Sequence, residues 1–268
     1  MNFNLNELFI LISSNSNEFF KEDQFNFTDN ETPRVSIKYE QKDIDFVNAY
    51  FSHGFNKNML NEYDECAKDI FDLSFNVFDT LLHAWLSELP VYNEMIAYGK
   101  IFYAIAKMNC NIEEKRRRAE TEENNRVNSD IKTMLNVNYK VFRELERLMG
   151  LLRFNPNSDG EFIAKCSPDH FILPALGEYL TSRFGETAWT VIDEKRNLYL
   201  SRKPKGKFKT CLLDNESATV KLDSGKDEWE ELWKHYHKTI NNEDRNNPDL
   251  QRQFMPKRYW QYLPELDQ

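Results

Sequence analysis

EFIAKCSPDHFILPALGEYLTSRFGETAWTVIDEKRNLYLS, residues 161–201, changes its apolar period twice, and that change decides the fold class. Phe162, Ala164 and Cys166 alternate along the first six residues, which is the two-residue repeat of a strand. After Ser167-Pro168-Asp169-His170 the pattern lengthens into a helix over about Leu173 to Phe184. AWTVID (188–193) and NLYLS (197–201) then return to strand character across Glu194-Lys195-Arg196. Strands and helices intermixed in this way predict an α+β fold, with helical bundle elements packed with a small antiparallel sheet.

Working outward, LLRF (151–154), the turn sequence NPNSDG and the strand EFIAKC read as a hairpin. FKTCLL and ATVKL read as a second strand pair. Asp227 then caps an amphipathic helix bearing Trp229, Leu232, Trp233, Tyr236 and Ile240, before NNPDLQRQFMPKRYWQYLPEL (246–266). Upstream, Ser129 and Asp130 cap a helix with Ile131, Leu135, Val141, Phe142, Leu145, Leu148 and Met149 on one face, ending at Gly150. Residues 112–126 pair Glu113 with Arg117 and Glu114 with Arg118 at four-residue spacing, the mark of an exposed helix.

Further helices are expected through Leu5, Leu8, Phe9 and Ile12, over Ile44 to Phe51, through Phe75, Phe78, Leu81, Leu82 and Trp85, and, past Pro90, from Val91 to Asn109. One strand is expected where Val35, Ile37 and Tyr39 alternate in PRVSIKYE. The organisation reads as an acidic N-terminal region, 1–125, with one strand and several helices, and a core domain, 126–268, with a basic C-terminal motif.

Composition narrows the function classes. The 20 Phe, 12 Tyr and 5 Trp supply a core, and no apolar run reaches membrane-spanning length, so a cytoplasmic protein with no membrane association is expected. The four cysteines lack CxxC spacing and read as reduced and structural, with no metal or cofactor implied. The net charge of −9 is uneven: residues 1–100 hold 17 acidic and 7 basic side chains, residues 101–268 hold 27 and 28. Nucleic acid would therefore meet the second part.

Phosphate-loop, dinucleotide, nucleophile-elbow and HExxH signatures are all missing. Asp169 and His170 stand at a helix mouth, where side chains and amides converge on ligands, so they are acid/base candidates; the bland alternative is a capping aspartate and a loop-bonding histidine. Lys195 to Lys209 contains seven basic residues and no acidic one, which suits either a phosphate-tracking loop or a merely solvated turn. QRQFMPKRYW (251–260) sets Arg252, Gln253, Lys257 and Arg258 beside Tyr259 and Trp260, the residue types that hold phosphates, read base edges and stack bases. The alternative there is a buried tail whose cations pair with carboxylates.

RELERLMGLLRF (143–154), SPDHFILP (167–174), SRF (182–184), Trp189 with IDEKR (192–196), and NPDLQRQFMPKRYWQYLPEL (247–266) together resemble an uncharacterised bacterial family of probable DNA-metabolism proteins. The resemblance spans about 130–266. It implies a DNA-repair context, DNA as a partner, and association with a radical-SAM DNA modification or repair protein or with uracil-DNA-glycosylase-like domains. The chain departs from the pattern at Glu146 and near Tyr179 and Ile192, where histidines are expected, but keeps Arg147, Arg153, Asp169, His170, Asp193 and Arg196. Three readings follow: a DNA-binding accessory protein; an enzyme acting on DNA or nucleotides, with Asp169 and His170 as acid and base and Arg147, Arg153 and Arg196 on phosphate; and a protein-interaction module.

Overall fold

The computed structural model describes residues 4–14, 39–52, 54–157, 159–213, 228–242 and 247–266. It divides into two compact units, Met1–Ala49 with Phe55–Phe142, and Tyr50–Gly54 with Arg143–Gln268.

The first unit is helical among its described residues: α1 (Leu5–Ser13), α2 (Gln41–Phe51, to Ala49), α3 (Glu65–Leu73), α4 (Phe75–Leu86), α5 (Tyr92–Ala106), α6 (Ile112–Glu123) and the start of α7 (Ser129–Leu151). Caps set the boundaries. Asn4 and Glu7 form a reciprocal capping box on α1, and Ser74 both ends α3 and caps α4 through the Val77 amide. Leu5, Leu8, Phe9 and Ile12 are all buried, as their spacing predicts. Phe9 stacks on Phe78 at 5.9 Å, and Phe46 meets Tyr63 edge-on at 5.0 Å. Gly99 lets α1 and α5 close up, since a Cβ there would overlap Ile12. In α6 the Glu114–Arg118 pair forms at 2.7 Å.

α7 corrects the expected cap and face. Asn128, not Ser129 or Asp130, accepts the first free amides, from Asp130 at 2.9 Å and Ile131 at 3.3 Å. The buried positions are Ile131, Met134, Val137, Val141, Glu144, Leu148 and Leu152, while Phe142 is exposed and Leu145 half-buried. That stripe averages 3.5 residues per step, and a glutamate lies in it.

The second unit carries a five-stranded sheet in the order β1 (Asn155–Pro156), β2 (Phe162–Cys166), β3 (Trp189–Asp193), β4 (Leu198–Arg202), β5 (Lys209–Leu212). The α+β class stands, but the sheet is mixed rather than wholly antiparallel. β2 and β3 run parallel, because the chain between them crosses over through a 3₁₀ turn (Leu173–Leu176) and α8 (Gly177–Phe184). The hairpin expected from LLRF shrinks to the two-residue β1, since Leu151 still belongs to α7. β5 pairs antiparallel with β4. The helix α9 (Glu228–Ile240) is amphipathic as read, with Leu232, Trp233, Tyr236 and Ile240 all exposed, and α10 (Pro248–Phe254) follows. The strand at Val35 and Ile37, the ATVKL strand and the Asp227 cap lie outside the described residues.

Candidate functional site

At the carboxyl ends of β2 and β3 the chain builds a polar hub around Glu144, which is 2 % exposed. Its Oε1 accepts the Asp169 amide at 2.9 Å and its Oε2 the His170 amide at 2.8 Å. Oε1 also accepts the Tyr259 hydroxyl and, at 3.2 Å, Arg258. Burial would raise the Glu144 pKa, but the Tyr259 hydroxyl, the Asp169 amide and His170 outweigh it and hold the carboxyl below its ordinary value. Tyr259 is pushed the other way, well up, by burial and by the Glu144 charge beside it.

A second buried carboxylate completes the frame. Asp193, at the end of β3, takes Arg196 at 2.7 Å and the Lys195 amide at 3.0 Å. Burial raises its pKa, and Arg196 offsets only part of that. Arg196 reaches on to the carbonyls of Pro168 at 3.1 Å and Asp169 at 2.8 Å, and the Lys195 ammonium also donates to the Asp169 carbonyl at 2.8 Å. The Ser167–His170 loop is thus bonded on both sides, its amides by Glu144 and its carbonyls by Arg196 and Lys195. Carbonyls and amides held this way are fixed rather than poised to move.

Members of both candidate sets fall into one cluster: Asp169, His170, Asp193 and Arg196 of the acid/base and phosphate set, and Arg258 and Tyr259 of the C-terminal motif. His170 is buried at 7 % exposure, and the Asp169 carboxylate, half exposed, is bound by Arg258 at 2.9 Å. Tyr259, at 1 % exposure, has no open ring face for a base. Arg147 and Arg153 lie outside the cluster and clamp the C-terminal segment, Arg147 through the Gln253 carbonyl at 3.0 Å and Arg153 through Glu265 at 2.5 Å. Arg252 pairs with Asp249 at 2.8 Å, the Trp260 indole donates to the Met255 carbonyl, and Lys257 stays exposed above the Trp260 ring. Among the described residues, no group of three or more His, Cys, Asp and Glu side chains is disposed to hold a metal ion.

The opposite end of the sheet carries the open charge. In the β4–β5 turn Lys203, Lys205 and Lys207 are exposed and make no ion pair among the described residues. Lys205 sits at φ 58°, and Arg202 braces the turn, donating to the Gly206 carbonyl at 2.8 Å and to that of Gly185. Phe208 anchors it against Gly177, where a Cβ would overlap the ring.

Fold and hub together define an α+β protein whose C-terminal segment is fastened onto a long helix and a small mixed sheet. The chain belongs to the family DUF4130, a domain of unknown function, which matches residues 100–265. No curated protein and no solved structure matches it.

Proposed function

We propose that this chain is a DNA-handling accessory protein whose second unit holds the phosphate backbone on the β4–β5 turn. The observation that carries the reading is the braced turn itself, with Lys203, Lys205 and Lys207 exposed and without carboxylate partners among the described residues. Three cations on a backbone fixed by Arg202 bind phosphates without first being ordered. The excess of acidic side chains lies in residues 1–100, 17 against 7 basic, which disfavours DNA contact there and leaves it to the near-neutral second part. Lys257 adds a further phosphate contact from the C-terminal segment. The resemblance of the motifs within 130–266 supports a DNA-repair setting and a radical-SAM or uracil-DNA-glycosylase-like partner. The acid–base reading of Asp169 and His170 gains nothing from the hub, where one is tied to Arg258 and the other is buried.

The test is fluorescence anisotropy of the full chain with labelled single-stranded and duplex DNA across a salt series. Changing Lys203, Lys205 and Lys207 together to alanine should flatten the log–log salt dependence by about 2 for single strands, at roughly 0.7 per phosphate contact, with no loss of melting temperature. A slope that stays the same in the triple variant removes the turn from the interface.

A further inference from the structure

The amino ends of β2 and β3 carry a second feature that neither the sequence motifs nor the family assigns. Phe154 in the connection after α7, Phe162 in β2 and Phe184 in α8 meet as a half-buried cluster, with Phe154 and Phe162 lying 4.7 and 5.3 Å from Phe184. The exposed Arg183 lies over two of these rings, 5.8 Å from Phe154 and 5.5 Å from Phe184. Phenylalanines needed only for packing are mostly enclosed, like Phe171 at 0 %.

The sheet register puts this cluster beside the lysine turn. Phe162 pairs with Trp189, and Trp189 pairs with Arg202, so Phe162 and the residue bracing the turn sit two strands apart, about 10 Å. Arg202 itself bonds the Gly185 carbonyl, next to Phe184. Flat apolar faces topped by a guanidinium therefore stand a few nucleotides' reach from three ammonium groups that make no ion pair among the described residues. Bases offer such faces only when they are unpaired, since a duplex hides them in its stack.

We infer that Phe154, Phe162, Phe184 and Arg183 form a base-stacking platform which, with Lys203, Lys205 and Lys207, makes this end of the sheet a site for single-stranded nucleic acid. The inference rests on the phosphate-binding reading of the lysine turn and adds the substrate class. Arg183 covers the platform from solvent, and on binding its guanidinium exchanges a phenylalanine partner for a base by cation–π contact.

The experiment compares a fluorescein-labelled oligothymidylate of about 16 nucleotides, an abasic oligomer of the same length and charge, and a duplex, by anisotropy with the full chain at one low salt concentration. The oligothymidylate should bind about tenfold or more tightly than the abasic strand, and Phe184→Leu should remove most of that preference while leaving abasic binding unchanged. Leucine keeps the apolar bulk, so an unaltered circular dichroism melt confirms that the fold persists; Arg183→Gln, at an exposed position, is the second variant and should narrow the same gap. Equal binding of the oligothymidylate and the abasic strand, both lost in the triple lysine variant, overturns the platform but leaves phosphate binding standing. Binding to none of the three probes overturns both readings.

Discussion

The Glu144 carboxylate on α7 accepts the hydroxyl of Tyr259, 115 residues further along the chain, while its two oxygens also hold the amides of Asp169 and His170. One buried side chain thus joins a helix, the loop after β2 and the C-terminal segment. Changing it to alanine leaves two amides and a phenol without their acceptor, and Arg258 with only one of its two carboxylates, that of Asp169. The expected loss is about 3–5 kcal/mol, the cost of breaking a buried charged network from one side. Tyr259→Phe keeps the ring and removes the bond to Glu144 and the longer one from Arg258 at 3.4 Å, so a loss of about 1–3 kcal/mol is expected. Urea unfolding followed by circular dichroism measures both, and a Glu144→Ala loss below that of Tyr259→Phe would show that the hub is not organised around the carboxylate.

Arg202 is assigned a bracing role, and its charge and its geometry can be separated. Lysine retains the charge but not the fork that reaches the carbonyls of Gly206 and Gly185. Arg202→Lys should weaken DNA binding by about 3- to 10-fold through a looser turn, with the salt slope unchanged because the number of cations is unchanged. Arg202→Gln, which removes the charge, should also leave the slope unchanged; a flatter slope in that variant would make Arg202 a phosphate ligand in its own right.

Legibility in the sequence followed the range of the interactions. The helix through Leu5, Leu8, Phe9 and Ile12 and the strand NLYLS are readable because their burial period is local, whereas β3 in AWTVID is buried at every position and carries no such period. The parallel pairing of β2 with β3 is not readable, since alternation states that a residue is in a strand and says nothing about its neighbour. Glu144 left a readable trace: Val137, Val141, Leu148 and Leu152 set a stripe, and position 144 falls in register with it. It was hidden by RELERL, which resembles a solvated charged helix. Asp169, Asp193 and Arg258 were recognisable as chemistry-bearing residues, but their convergence depends on contacts between distant segments. The Phe154, Phe162 and Phe184 cluster is non-local in the same way.

Gly177 and Phe208 make a second long-range pair with a measurable signature. The Phe208 ring fills the space where a Cβ on Gly177 would be, and it holds the start of β5 and the lysine turn against α8. Gly177→Ala overpacks this contact and should cost about 1–3 kcal/mol, and Phe208→Ala opens a cavity costing about 3–5 kcal/mol. The double variant should lose less than the sum, because the added methyl occupies part of the space the ring vacates. Strict additivity in denaturant unfolding would place the two residues out of contact.

Asp43 gives the first unit a pH dependence of defined sign. It is fully buried, with the Tyr63 hydroxyl donating to its Oδ1 at 3.4 Å and its Oδ2 without a hydrogen-bond partner among the described residues. Burial lifts the carboxyl from 3.8 to about 6, against the lowering by the Leu5 amide, Lys42 and Tyr63, while Glu40 adds to the rise. Between those values the folded chain holds a proton that the unfolded chain has lost, so stability falls as pH rises from about 4 to about 6 and the loss is constant above. Asp43→Asn removes this titration. The variant should melt higher than the parent chain at about pH 7.5, with the gap opening between about pH 4 and 6 and level beyond. Differential scanning calorimetry at four pH values follows the gap, and one that is the same at pH 4 and 7.5 would mean that Asp43 stays charged in the folded unit throughout.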